Sequence, residues 1–142
     1  YDDKIYCLSV SDGSILWRYN KGGATAPVVV GDKLFYSSST GQIISLNKKT
    51  GELLWQKTIT NGIASEPIVL RGYLIYGESQ GKLNALDLLS GDLKASFDPG
   101  KGIMSKPSSD NKNSIYFISG EANFYQVDLV PVTKNMIPFL KN

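Results

Sequence analysis

The amino-acid sequence predicts an all-β fold of repeated four-stranded antiparallel units, and three observations carry that prediction. First, marker residues recur at a fixed period. Trp17 and Trp55 lie 38 residues apart, Pro27, Pro67 and Pro107 are separated by 40 and 40, and Gly13, Gly51 and Gly91 by 38 and 40. Second, the markers keep a common phase, since Gly13 precedes Trp17 by four residues and Gly51 precedes Trp55 by four. Third, no window holds helical i, i+3, i+4, i+7 apolar spacing for three turns, whereas short apolar runs between turn residues are dense. A period near 40 suits four short strands and their turns, the unit of a β-propeller blade.

The strands of one repeat, A to D from inside to outside, can be placed in order. Pro27-Val28-Val29-Val30 reads as a buried inner strand A, with Pro at the first position, where only one N–H is lost. Leu34-Phe35-Tyr36 follows a Gly31-Asp32 turn as B, Ile43 to Leu46 follows Gly41 as C, and Leu53-Leu54-Trp55 follows Thr50-Gly51 as D. The next repeat places A at Pro67 to Leu70, B at Tyr73 to Tyr76, C at Leu83 to Asp87 and D at Leu93 to Phe97. A last, degenerate repeat offers Pro107 to Ser109, Ser114 to Ile118 and Asn123 to Asp128. The chain opens with only C, Lys4 to Ser9, and D, Ser14 to Tyr19. The expected fold is therefore a partial propeller of about three and a half four-stranded antiparallel blades. Its expected divisions are a half-blade at 1–20, blades at 25–58 and 64–98, and a degenerate blade at 104–137.

Composition narrows the function. Fifteen Lys+Arg against 13 Asp+Glu give a net charge of +2, too balanced to argue for nucleic acid or an acidic membrane surface. No run of 18 apolar residues offers a transmembrane helix. The single cysteine, Cys7, allows no internal disulfide, and the absence of His removes the commonest general base and metal ligand. The Ser37-Ser38-Ser39-Thr40-Gly41 run therefore has no His to activate a serine and reads as a polar B–C turn.

The segment Ser45-Leu46-Asn47-Lys48-Lys49-Thr50-Gly51-Glu52-Leu53-Leu54-Trp55 resembles the tryptophan-docking motif of pyrroloquinoline-quinone-type propellers. Ser45 takes the small position, Asn47 the acid position, Gly51 the turn and Trp55 the docking position. Cys7, Ser9, Gly13 and Trp17 repeat the motif loosely. Ala85, Asp87 and Gly91 match it, but Ala95 replaces the Trp; Gln126 and Asp128 are a remnant, with Val132 where Gly is expected. The resemblance implies structural docking of Trp17 and Trp55 between neighbouring blades, with Gly13, Gly51 and Gly91 in the turns.

That family includes quinoprotein dehydrogenases, whose resemblance would bring a quinone cofactor, calcium, adjacent cysteines and an acidic ensemble. This sequence carries one Cys and no acidic cluster beyond Asp2-Asp3, so no cofactor, metal or catalysis is expected. The style of Gly31 to Tyr36 and Gly41 to Leu46 is similar to the BamB-type branch of outer-membrane assembly lipoproteins. The resemblance implies a protein-binding scaffold in an extracytoplasmic, periplasmic setting; a fragment of a quinoprotein dehydrogenase or an extracytoplasmic sensor domain are the alternatives.

In a blade, the D–A connections and B–C turns emerge on one face, where loops on a rigid frame meet partners. Lys21, Asn61 and Lys101 are the polar candidates of the D–A loops, and Glu66 and Lys106 stand just before the A-strand prolines near the channel mouth. Glu66 and Lys106 hold equivalent positions on neighbouring inner strands and are expected to approach one another. A propeller closes when its last blade meets its first. The inner edge of the first C strand and a last-blade face around Ile115, Phe117 and Phe124 are expected to be open. The chain is accordingly expected to be part of a longer parent and to self-associate through these edges in isolation.

Overall fold

The computed structural model describes residues 2–130, and these are all β among the described residues. The strands are β1 (Ile5–Leu8), β2 (Ile15–Tyr19), β3 (Val28–Val30), β4 (Lys33–Ser37), β5 (Gln42–Asn47), β6 (Leu53–Thr58) and β7 (Ile68–Leu70). They continue as β8 (Tyr73–Gly77), β9 (Leu83–Asp87), β10 (Leu93–Phe97), β11 (Ser108–Ser109), β12 (Ser114–Ile118) and β13 (Phe124–Asp128). Four antiparallel sheets follow in chain order: β1-β2, β3-β4-β5-β6, β7-β8-β9-β10 and β11-β12-β13. Each is a meander of short hairpins. The result is the open, partial propeller that the sequence predicts: a half-blade, two full blades and a last blade of three described strands. The outer strand expected for that last blade, up to residue 137, lies outside the described residues.

The hydrophobic core is divided into three seams, one at each junction of neighbouring sheets. Leu34, Tyr36, Ile44 and Leu46 pack with Ile5, Trp17 and Tyr19 of the half-blade. Phe35, Ile43, Trp55 and Ile59 pack with Leu74, Tyr76 and Leu86. Ile75, Leu83 and Ala85 pack with Ile103, Ile115 and Phe117. The alternation of a strand explains this division. Leu34 and Tyr36 face the preceding sheet, while Phe35 between them faces the following one.

Across the first two seams an indole reaches from one blade to the next. The Trp17 indole N–H donates to the carbonyl of Lys48 at 2.9 Å, and that of Trp55 to the carbonyl of Leu88 at 3.0 Å. Both acceptors lie in C–D turns with a shared construction. The Asn47 side-chain oxygen accepts from the backbone N–H of Lys49 and Thr50, and that of Asp87 from Leu89 and Ser90. Gly51 and Gly91 then donate their N–H to the carbonyls of Asn47 and Asp87. These glycines have φ of 73° and 74°, a conformation that L side chains rarely adopt. A Cβ on Gly51 would lie 2.6 Å from the Trp17 ring, and one on Gly91 2.6 Å from the Trp55 ring. The glycine is therefore required twice over, for its backbone and for the ring lying against it.

The third seam is built differently. Ala95 stands where the indole would be, and an aromatic group two residues further along the strand takes over. Phe97 packs edge-on against Phe117 and Tyr125, with centroids 6.0 and 5.6 Å away. Phe117 and Tyr125 stack on each other at 5.3 Å.

Two expectations about burial are corrected. Strand A of the first full blade is not buried, since Val29 is 51% exposed. Its counterpart Val69 packs back onto the preceding blade; the described half-blade has no inner strands for Val29 to meet. On the last blade, Ile115 and Phe117 are buried in the third seam, and the open face is formed by Ile118 and Phe124, the latter 69% exposed. Period-two alternation puts the two pairs on opposite sides of β12 and β13.

The two penalties at Gly51 can be separated experimentally. Gly13 has a φ of 74°, and a Cβ added there would meet nothing within 4 Å. Gly13→Ala therefore carries only the backbone penalty, about 1–2 kcal/mol. Gly51→Ala adds the displaced Trp17 ring, an overpacking cost of about 1–3 kcal/mol more. Chemical denaturation is expected to rank Gly51→Ala below Gly13→Ala; equal losses would refute the seam's role.

Candidate functional site

The D–A loops and B–C turns lie side by side and are tied by backbone pairing. Gly23 bridges Ser38, Ala64 bridges Glu78 and Ile103 bridges Ser119. These bridges recur once per blade and hold the loop face as a ribbed surface rather than free coil.

The structure brings together some of the candidate side chains. Asn61 and Lys101 line one polar cleft of about 450 Å³ with Gln80, Lys82 and Asp98. Glu66 and Lys106 meet across neighbouring inner strands, with Oε1 and Nζ 2.5 Å apart. Lys101 also lies 3.7 Å from Glu121. Lys21 is different from the exposed loop side chain that the sequence suggests. It is half-buried and donates to the side-chain oxygens of Gln56 at 3.1 Å and Gln42 at 3.5 Å. Its D–A loop packs close to β5 and β6, and it does not join the cleft.

Sequence reasoning missed Glu78. The residue is 5% exposed, and its carboxylate accepts from the Asn61 amide at 2.9 Å. Asn61 also supplies its backbone carbonyl to the N–H of Gln80, and the Ser79 hydroxyl accepts from the N–H of Ile63. The loop around Asn61 is thus locked from both sides. The signal was present in the repeat. Position 78 carries Glu where Ser38 and Ser119 stand in the other copies, a carboxylate replacing a hydroxyl at one rib only.

Beneath the rim lie two buried phenols. The Tyr36 hydroxyl donates to the carbonyl of Lys21 at 2.7 Å, and burial pushes its pKa upward. Tyr76 is pushed up to about 12, first by burial and then by the charge of Glu78, against a smaller opposing effect of Asn84. A folded pKa above the unfolded value near 10 means that the neutral phenol stabilises the fold below pH 10. That contribution is lost as the pH rises towards 12. The melting temperature is expected to fall across this window, and less steeply in Tyr76→Phe; an identical alkaline slope would contradict the burial argument.

Among the described residues, no group of three or more His, Cys, Asp or Glu side chains is placed to hold a metal ion. The face presents amides, ammonium groups and carboxylates on a braced frame.

Comparison with known proteins places this geometry. A curated relative, the outer membrane protein assembly factor BamB of Legionella pneumophila (strain Paris), is 32% identical over 65 residues, 44% of this chain and 17% of that protein. The crystal structure of BamB from Moraxella catarrhalis superposes with a TM-score of 0.76 at 20% identity, over 89% of this chain and 40% of that one. A europium-containing methanol dehydrogenase superposes with a TM-score of 0.58 at 20% identity, over 67% of this chain and 21% of that one. Likeness at this identity speaks to the fold. The chain spans well under half the length of these relatives. The family model described as outer membrane protein assembly factor BamB matches residues 1–135, and the chain belongs to that family.

Proposed function

We propose that this chain is part of a non-catalytic, extracytoplasmic scaffold that binds protein partners in outer-membrane assembly. Family membership supports the assembly role, and the braced loop face supports the binding mode. The observation that carries the reading is the cleft lined by Asn61, Gln80 and Lys101, with its loop fixed by the Asn61–Glu78 hydrogen bond. A surface of this kind loses little side-chain freedom on binding, which preserves affinity. In this reading Glu66 and Lys106 serve chiefly to order the channel mouth, since an ion pair near solvent contributes about 0–1 kcal/mol. Trp17 and Trp55, with Gly13, Gly51 and Gly91, serve as structural docking elements and touch no partner.

Photo-crosslinking in the parent propeller, within the periplasm, tests the face. Probes at Asn61 and Lys101 are expected to give a discrete protein adduct, and a probe at Lys49 in a C–D turn on the opposite rim is expected to give none. Equal labelling from both rims would remove the case for this face.

The open ends support a second property, self-association of the isolated chain. Leu8, Ile15 and Leu16 of the half-blade are exposed, as are Ile118 and Phe124 of the last blade. Such apolar faces are seldom left uncovered. Light scattering across a dilution series is expected to give a mass that rises with concentration; a monomer throughout, binding no apolar dye, would overturn it.

A further inference from the structure

The second seam keeps an open polar pocket at its loop-side end. In the first seam the Lys21 side chain reaches across that end and donates to Gln42 and Gln56. Rib pairing of Gly23 with Ser38 and of Ala64 with Glu78 makes Gly62 the counterpart of Lys21 one blade on. Gly62 has a φ of 88°, and a Cβ there would lie 2.2 Å from the Ser79 hydroxyl oxygen, so no side chain enters from this position. The pairing also sets Glu78 in the place of Ser38, Lys82 in that of Gln42 and Ser96 in that of Gln56. The space left is a pocket of about 250 Å³ whose lining includes Lys57, Asn61, Tyr76, Glu78 and Lys82. It shares Asn61 and Lys82 with the loop-face cleft, and its other walls are its own.

Two buried groups face this pocket with hydrogen-bonding capacity to spare. Glu78 is 5% exposed, and one of its carboxylate oxygens accepts from Asn61. The other meets no donor, and no ammonium group lies within ion-pair distance, among the described residues. A buried charge is costly unless it is paired and hydrogen-bonded. Tyr76 is 2% exposed, and its hydroxyl donates to no carbonyl among the described residues, whereas that of Tyr36 donates to Lys21. The ammonium groups of Lys57 and Lys82 line the same space, and neither has a side-chain partner among the described residues. We propose that the pocket binds small amino acids, the ligand ammonium group donating to Glu78 and the ligand carboxylate accepting from Lys57 and Lys82. A cation alone would satisfy Glu78 but meet two lysines, and an anion alone would satisfy the lysines but meet a buried carboxylate. A zwitterion answers both. The Tyr76 hydroxyl, a donor and an acceptor, serves either end, and Leu93 gives the ligand's methylenes an apolar wall. An engineered cavity of about 150 Å³ already accepts benzene, so this space admits an amino acid of about four carbons. The inference is independent of the scaffold reading, because it concerns a small ligand held in the seam rather than a protein on the loop face.

The test is titration of the whole chain with 4-aminobutyrate, followed by the side-chain amide resonances of Asn61, the methyl resonances of Thr58 and Thr60, and melting temperature. Saturable shifts confined to these groups, with a raised melting temperature, are expected. Butylamine and butyrate each carry one of the two charges and are expected to bind at least about tenfold more weakly, the factor that one hydrogen bond to a charged group supplies. Glu78→Gln keeps an oxygen for Asn61 but removes the charge, and is expected to weaken 4-aminobutyrate binding by the same factor. Glu78→Ser, which gives this rib the residue of the other two, serves the same purpose if the Gln variant does not fold. Lys82→Gln, which supplies the residue of the preceding blade, is expected to weaken binding about two- to twelvefold. No saturable binding by the folded chain, the result if Lys82 simply turns onto Glu78, overturns the proposal. So does butylamine or butyrate binding as tightly as 4-aminobutyrate, or binding that neither the Glu78 nor the Lys82 substitution weakens.

Discussion

The contact on which the rest of the molecule depends is an indole laid against a glycine. A blade of four short strands has two faces and cannot bury both by itself. Its stability comes from the neighbour on each side, as in any array of stacked repeats. The indole supplies a large apolar area together with one N–H that has to be satisfied. The carbonyl after the Asn or Asp of the next C–D turn satisfies it, and the glycine of that turn makes room. Two blades are thereby fixed in rotation as well as in distance. A purely apolar contact would leave the rotation loose, because it has no preferred direction.

The positions around this contact divide by what they require. Asn47 and Asp87 are interchangeable because only a side-chain oxygen is needed to accept two backbone N–H groups. Those donors hold the Asp87 carboxyl below its usual range, with the Ser90 N–H the larger influence. At the small position, Ser45 is wholly buried with no partner for its hydroxyl among the described residues, and Ala85 holds the corresponding place. Smallness beside the ring, rather than hydrogen bonding, is what that site demands. Charge plays little part in the seams. The Glu66–Lys106 pair joins neighbouring inner strands, but it is partly exposed, and such a pair contributes about 0–1 kcal/mol.

The strand order, the repeat phase and the meeting of Glu66 with Lys106 were legible in the sequence because each follows from a fixed period. Equivalent positions in a repeat are neighbours in space. What stayed hidden depends on which neighbours a given strand has. Val28 to Val30 read as a buried run, since the sequence of one strand does not say whether an inner strand faces it. Ile115 and Phe117 read as an open face because hydrophobicity alone does not tell one side of β12 from the other. Lys21 looked like a free loop cation, and only folding brings it to Gln56. Glu78 was missed for the opposite reason. One acidic residue among turn residues carries no signal until the rib pairing aligns it with Ser38 and Ser119.

The third seam marks how far the motif can decay before the architecture changes. Ala95 removes the indole, and with it the hydrogen bond that sets the rotation of the last blade. Phe97, Phe117 and Tyr125 restore contact through a cluster whose rings meet at 5.3 to 6.0 Å. Aromatic pairs of this kind add about 0.5–1.5 kcal/mol beyond their buried area, comparable to the hydrogen bond that was lost. They do so two residues along β10, however, and leave the original space uncovered. The seam therefore keeps its adhesion while surrendering its fit. The last blade is still held across this joint by the ring cluster, and the uncovered space is where a solvent-facing apolar cleft forms without unpairing a single strand.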